Sequence, residues 1–427
     1  MQLIINPPRA EWPALCARPS DDNAVVHERV AAILGRVRTQ GDEALKALSQ
    51  EIDGVTLASL EVSEAEFAQA QVSVSDEVKR AVEAAAANIR AFHEAQRPAS
   101  VDLETQQGVR CLQRAVPIQR VGLYIPGGSA PLFSTVLMLA IPARVAGCPE
   151  IILCTPVSKA TGRVAPEVLY AARFCGVQKV FKAGGAQAVA AMAFGTQSIP
   201  KVDKIFGPGN QFVTTAKQLL GGKAVAIDMP AGPSEVMVLA DATARPAFVA
   251  ADLLSQAEHG PDSQVMLVCD DEAFARAAMA EMERQLESLP RRDIAVLALD
   301  KSRTLVFPDR ETLTAFANAY GAEHLILALE RPWEIADRIT AAGSVFVGPW
   351  SPESAGDYAS GTNHTLPTSG WARAFSGVNL DSFLRKITFQ ELTKEGLDAL
   401  APTITTLAEA EGLRAHAQAV RIRLQDE

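Results

Sequence analysis

The chain has 427 residues, 48% of them hydrophobic and 21% charged, with 28 glycines and 25 prolines. It is too long for one ordinary core and too apolar for a disordered chain, so two or three globular domains are expected. A formal charge of -10 excludes the basic footprint that a nucleic-acid or anionic-membrane partner requires and leaves a small molecule as the expected partner.

The N-terminus "MQLIINPPRAEW" lacks the basic start and long apolar run of a signal peptide. No stretch approaches the ~20 apolar residues of a membrane span. A cytoplasmic location is expected. The six cysteines (Cys16, Cys111, Cys148, Cys154, Cys175, Cys269) form no C-x-x-C pair and have mostly apolar neighbours, as reduced core thiols do. Over the first hundred residues the periodicity predicts helices: "NAVVHERVAAILGRVRTQ", "DEALKALSQEI", a capping box at Ser63-x-x-Glu66, and "DEVKRAVEAAAANIRAFHEAQ". His27 and His93 fall on these charged helices and are expected at the solvated surface.

From Val121 short β-branched runs alternate with helical ones: "VGLYIP", "STVLMLAIPARVAG", "EIILCTP", "PEVLYAARFCG", "KVFKAGG", "AQAVAAMAFG", "DKIFGPG", "NQFVTTAKQLLGG". Such alternation marks βαβ units on a parallel sheet. A second series runs from "PAFVAADLLSQAEHG" through "SQVMLVCD", "HLILAL" and "SVFVGP", so the expected fold is α/β with two doubly wound sheets. A Gly, Ser and Pro-rich loop, "GPWSPESAGDYASGTNHTLPTSG", then leads to a tail from about Leu380. That strand-then-helix tail is too small to fold alone and must pack on something else.

Such sheets invite a dinucleotide, yet no G-x-G-x-x-G occurs; "GPGNQF" starts like one at Gly207 and ends in Phe212. The Gly-rich strand ends "YIPGGSAP", "KAGGAQA" and "FGPGN" read either as plain turns or as helix N-termini whose amides hold phosphate. The triplet Ala-Glu-His occurs twice, at Ala257 to His259 and at Ala322 to His324. Gln256 and His259, three apart, share one helix face and can reach one metal ion, but a histidine before Gly260-Pro261 equally suits a helix C-terminus. "GDYASGTNH" offers Asp357 and His364, and His416 sits on the last helix. One carboxylate, two imidazoles and an amide oxygen would leave Zn²⁺ with net positive charge, which suits a catalytic rather than a structural metal; Mn²⁺ and Co²⁺ accept such ligands too. Glu323 and His324 stand where a loop becomes a strand. Adjacent strand residues point to opposite faces, so the two act on one substrate only if the backbone is still irregular there. If it is, imidazole suits proton removal from an alcohol and carboxylate suits water activation.

The blocks "YIPGGSAPLFSTV", "GGAQAVAAMAFGT", "KIFGPGN", "DMPAGPSEV", "DLLSQAEHGPDSQ", "AEHL", "AGDYASGTNHTLPT" and "EAEGLRAHAQAV", in this order from end to end, closely resemble the histidinol dehydrogenase family. The resemblance implies oxidation of L-histidinol to L-histidine through histidinal, the last two steps of histidine biosynthesis, with two NAD⁺ and one zinc ion per site. Residue by residue, it makes Gln256, His259, Asp357 and His416 the zinc ligands and Glu323 and His324 the acid-base pair. It assigns NAD contacts to Tyr124, Gln187 and Asn210, and further substrate contacts to Ser234 and Glu411. Glu258 is left as a helix-surface residue. The implied organisation is an N-terminal arm (1–24), a first Rossmann-like domain with the metal and catalytic residues (25–120 and 235–379), a second with the NAD contacts (121–234), and a tail (380–427). That tail is expected to reach across a homodimer and complete the partner's site.

Overall fold

The computed structural model describes residues 1–18, 24–127, 131–230 and 232–425. Residues 128–130 of "YIPGGSAP", residue 231 of "DMPAGPSEV", 19–23 of the arm and the last two of the tail lie outside the described residues. The chain opens with strand β1 (Gln2–Ile5), and β2 (Val101–Gln106) and β3 (Val109–Pro117) form a hairpin. Strands β4 (Arg120–Tyr124), β5 (Glu150–Thr155), β6 (Lys179–Lys182), β7 (Lys204–Phe206) and β8 (Ala226–Ile227) make a five-stranded parallel sheet, ordered β6-β5-β4-β7-β8. Strands β9 (Glu235–Ala240), β10 (Gln264–Cys269), β11 (Arg303–Val306), β12 (Ala322–Ala328) and β13 (Ala342–Val347) join β1 in a six-stranded parallel sheet, ordered β1-β11-β10-β9-β12-β13. Finally β14 (Leu384–Leu392) pairs antiparallel with β3, giving a small sheet β14-β3-β2.

Apart from β1, which the chain lays down first and which ends at one edge of the six-stranded sheet, each parallel sheet starts at its middle, steps out to one side and returns to the other, which is the doubly wound pattern. Every residue of β9 and β10 is buried, because helices cover both faces; that is why these strands read as unbroken apolar runs rather than alternating ones.

The packing corrects one expected grouping. The helices Ala24–Gln40, Asp42–Leu48, Glu64–Ser73 and Asp76–Glu94 cover the five-stranded sheet: Val30, Leu45, Phe67 and Ile89 share one core with Val121, Leu153 and Phe206. Residues 25–120 therefore share their main core with 121–234 rather than with the six-stranded sheet, and touch 235–379 at points such as Asn88, whose side-chain amide donates to the Ala359 carbonyl. The Ser63–Glu66 capping box forms as expected, setting the start of the helix whose Phe67 and Ala70 turn into that core. The six-stranded sheet has separate cores, one of which takes in Trp12 from the arm. His93 is a second correction. It is fully buried, with Nδ1 2.7 Å from the Ile89 carbonyl, since Val82, Ala86, Ile89 and His93 form one inward stripe of their helix. His27 is exposed, as expected.

Candidate active site

Between the carboxyl ends of β4 and β7 and the amino ends of β9 and β12 lies a cleft of about 710 Å³. Asn210, Ser234, His259, Glu323, His324, Asp357 and His364 are among the residues lining it. The five-stranded sheet supplies one wall through the turn after β7. Gly207 there has φ +128°, and a Cβ on it would overlap the Tyr124 carbonyl, so only glycine fits. Its N–H donates to the Asp228 carboxylate at 2.8 Å and its carbonyl accepts from the Lys217 ammonium at 2.9 Å; Lys217 and Asp228 are themselves a buried ion pair. Asn210 then caps the helix Gln211–Leu220, its side-chain oxygen accepting from the N–H groups of Phe212 and Val213. That favours the cap-and-turn reading of "FGPGN".

Tyr124 and Gln187 do not line this cleft. They meet at the turn between β6 and the helix Gly185–Phe194: the Tyr124 hydroxyl accepts the Gly185 N–H at 3.0 Å, and the Gln187 side chain lies over Gly185. Burial pushes Tyr124 up to about 12. That helix has Gly184 as its N-cap and no capping side chain, so the amides that follow Gly185 in its first turn keep their capacity for an anion.

The opposite wall carries the charged groups. Adjacent residues Glu323 and His324 both reach the cleft because β12 is irregular at this point. Its pairing with β13 passes from Ala322 to His324 without Glu323, and its pairing with β9 begins only at His324. Gly343 lets β13 pass close by, since a Cβ there would sit 2.5 Å from the Glu323 carbonyl oxygen. Both side chains are anchored on the backbone of Glu235. Its N–H donates to Glu323 at 2.9 Å, and its carbonyl lies 3.2 Å from His324 Nδ1.

Three carboxylates surround the imidazole. Glu323 and Glu353 each lie 3.6 Å from Nδ1, and Asp357 lies 3.6 Å from Nε2, distances of ion pairs rather than hydrogen bonds. Burial drives His324 down, but Glu353, Glu323 and Asp357 more than reverse this and push it up to about 10. Burial pushes Glu323 and Glu353 up to about 8. Asp357 is held below the usual carboxylate range because the imidazole beside it outweighs its own burial.

Donor atoms of His259, Glu353 and Asp357 lie within 4.8 Å of one another. One turn before His259, the fully buried Gln256 leaves both its amide oxygen and nitrogen without a hydrogen-bond partner, as does Glu353 with both carboxylate oxygens. Buried polar groups left bare in this way, beside an imidazole and a carboxylate, are what a metal ion satisfies. Glu353 was not among the residues the sequence singled out. It lies four before Asp357 on the helix Glu353–Tyr358, inside what reads as a Gly, Ser and Pro-rich loop; the i,i+4 spacing is the signal that finds it. His364 bridges the walls instead of joining the cluster, with Nε2 3.1 Å from Thr135 Oγ1 and Nδ1 2.9 Å from the Asp357 carbonyl. Glu258 follows the helix Pro246–Ala257 as its C-cap. Glu411 and His416 are exposed on the tail and do not line the cleft of their own chain.

A family model described as histidinol dehydrogenase matches residues 16–424. The chain belongs to the histidinol dehydrogenase family. It is 54% identical to the histidinol dehydrogenase of Bacteroides thetaiotaomicron over 99% of both chains. With that of Escherichia coli O6:H1 it shares 55% over 96% of this chain and 93% of the other. Among solved structures, histidinol dehydrogenase from Elizabethkingia anophelis superposes with a TM-score of 0.96 at 52% identity, covering 99% of this chain and 98% of that one. Among the described residues of this histidinol dehydrogenase family member, no helix is long and apolar enough to cross a membrane.

Proposed function

We propose that the chain oxidises L-histidinol to L-histidine through bound histidinal, a four-electron reaction using zinc and two NAD⁺. What carries the reading is the meeting of Glu323 and His324 with His259 and Asp357 in one cleft, in a chain that matches this family along nearly its whole length. Gln256, His259 and Asp357, with His416 from a second copy, would hold zinc, and the bare amide of Gln256 supports the fit. Bound there, zinc would hold the amino and imidazole nitrogens of the substrate and keep its carbinol carbon aligned. NAD⁺, the hydride acceptor in each half-reaction, is assigned to residues 121–234, with contacts from Tyr124, Gln187 and Asn210.

The chain's own residues move the protons. His324 Nδ1 faces a carbonyl, so Nε2 is left to take the hydroxyl proton of the alcohol. Glu323 then accepts a proton from water that attacks the aldehyde while protonated His324 returns its proton to the aldehyde oxygen, giving a gem-diol and leaving His324 neutral to serve again as base when the second NAD⁺ takes hydride. Ser234 and, from the partner, Glu411 are proposed to orient the substrate. Retention of the aldehyde in the cleft keeps it from side reactions between the steps. Residues 235–379 thus carry the metal and proton chemistry, and residues 380–427 reach the other subunit of a homodimer. The exposed apolar side chains of the tail, including Phe389, Leu407 and Ile422, support a buried role for it in an assembly. A cytoplasmic setting fits this chemistry. Steady-state rates with L-histidinol against amino alcohols that lack the imidazole test the reading: strong preference for histidinol is expected, and equal use of the others would overturn it.

A further inference from the structure

The two side chains assigned to proton transfer do not hold themselves in place. Glu323 accepts from the N–H of Glu235, and His324 Nδ1 faces the carbonyl of the same residue. The position of one peptide backbone therefore sets both. The Glu235 side chain turns away from the cleft, where Arg18 of the N-terminal arm grips it with two bonds, Nε at 2.7 Å and Nη2 at 2.9 Å. The side chains are 13% and 1% exposed. Arg18 is fixed in turn. Its Nη2 also donates to the Tyr320 carbonyl at 3.0 Å and its Nη1 to the Cys16 carbonyl at 2.8 Å. The guanidinium stacks 3.5 Å from the centre of the Tyr320 ring, and the Tyr320 hydroxyl donates to Gln264 on β10 at 2.7 Å.

A buried ion pair gains little stability over an apolar pair of the same size, because desolvation offsets its attraction. Stability alone thus gives a weak reason for joining residues 217 apart in sequence beneath the cleft. We infer that the Arg18–Glu235 clamp is a positioning device: it locks the Glu235 backbone so that its N–H aims the Glu323 carboxylate and its carbonyl fixes the tautomer and orientation of His324. The inference rests on the proposed roles of Glu323 and His324. Neither Arg18 nor Glu235 is placed in contact with substrate, and the arm acts on the chemistry only through them.

Removing one partner strands a buried charge and endangers the fold, so the decisive variant is the double Arg18→Met/Glu235→Met, which removes both. It is expected to melt within a few degrees of wild type and keep its KM for histidinol and histidinal. Its kcat should fall about 10- to 100-fold in both half-reactions, the scale of a misplacement of order 1 Å. Arg18→Lys, which keeps the charge but loses the two-pronged grip, should fall in between. Wild-type kcat in the double variant overturns the inference, and so do losses of KM and melting temperature in step with kcat, which mark a merely structural pair. Should the double variant fail to fold, the same split between kcat and KM is read on Arg18→Lys, which keeps both charges. Glu323→Gln, assayed in parallel, separates the two levels. If it leaves aldehyde oxidation intact, the underlying roles fail; if it disables that step while the double variant does not, the clamp fails.

Discussion

Replacing Glu353 by Gln tests how the buried carboxylates tune His324. Glu353 keeps its shape in this variant and loses its charge 3.6 Å from Nδ1. At that distance and an effective dielectric of ~20, the attraction between unit charges is about 4 to 5 kcal/mol, or roughly 3 pH units on the imidazole. That is a ceiling, since burial pushes Glu353 itself up to about 8, so it carries full charge only above that pH. A shift of about 1 to 2 units remains. The sign follows from the charges: carboxylates favour the imidazolium and hold His324 up at about 10, so losing one lowers the value. In the proposed mechanism His324 must be neutral to accept the alcohol proton. The acid limb of the kcat/KM profile for histidinol should therefore move to lower pH by about 1 to 2 units. Measuring that profile between pH 6 and 10 for both proteins, with metal content checked, settles the point. An unmoved limb, or one displaced to higher pH, would refute the idea that Glu353 tunes His324.

Three further outcomes are expected. Glu323→Gln should slow aldehyde oxidation by about 10² to 10⁴ while leaving alcohol oxidation far less affected; single-turnover assays started from histidinol and from histidinal compare the halves, and equal damage would remove Glu323 from water activation. Chelation with EDTA should abolish activity and leave the circular dichroism spectrum largely unchanged, because none of Gln256, His259, Asp357 and His416 belongs to the three apolar cores; global unfolding would make the metal structural. Asp357→Ala and His416→Ala chains, each inactive alone, should recover roughly a quarter of wild-type activity when mixed equally, since about half the dimers are mixed and each has one whole site of two. Activity that stays at the single-variant level, with mixed dimers shown to be present, would place His416 in its own chain's site.

Much of this molecule is legible in its sequence, and the rest is hidden for identifiable reasons. Parallel strands covered on both faces appear as apolar runs such as "VMLVC" and "HLILA", so the βαβ series stands out. Helical periodicity shows that the helices of residues 24–94 have an apolar side, but not which sheet receives it; their attachment to the five-stranded sheet emerges only from the packing. His93 was within reach: its spacing from Ile89 and Ala86 places it on the inward stripe, despite charged neighbours that suggest solvent. Spacing permits Gln256 and His259 to reach one metal ion without requiring it, and only the family resemblance singles them out as ligands. Glu353 is masked by the glycines and serines around it, and the Arg18–Glu235 contact spans 217 residues, beyond any local pattern. The irregular start of β12 that lets Glu323 and His324 share one cleft depends on Gly343 in the neighbouring strand, which no reading of "AEHL" alone contains.

The central claim, that one cleft takes an amino alcohol through its aldehyde to the acid, is tested most directly by stoichiometry. The purified zinc-loaded protein is given limiting L-histidinol and excess NAD⁺, and NADH formed is counted against histidine formed and histidinal released. Two NADH per histidine, with no free histidinal, is the predicted result. One NADH per histidinol with the aldehyde accumulating in solution, or no NADH at all, would contradict it.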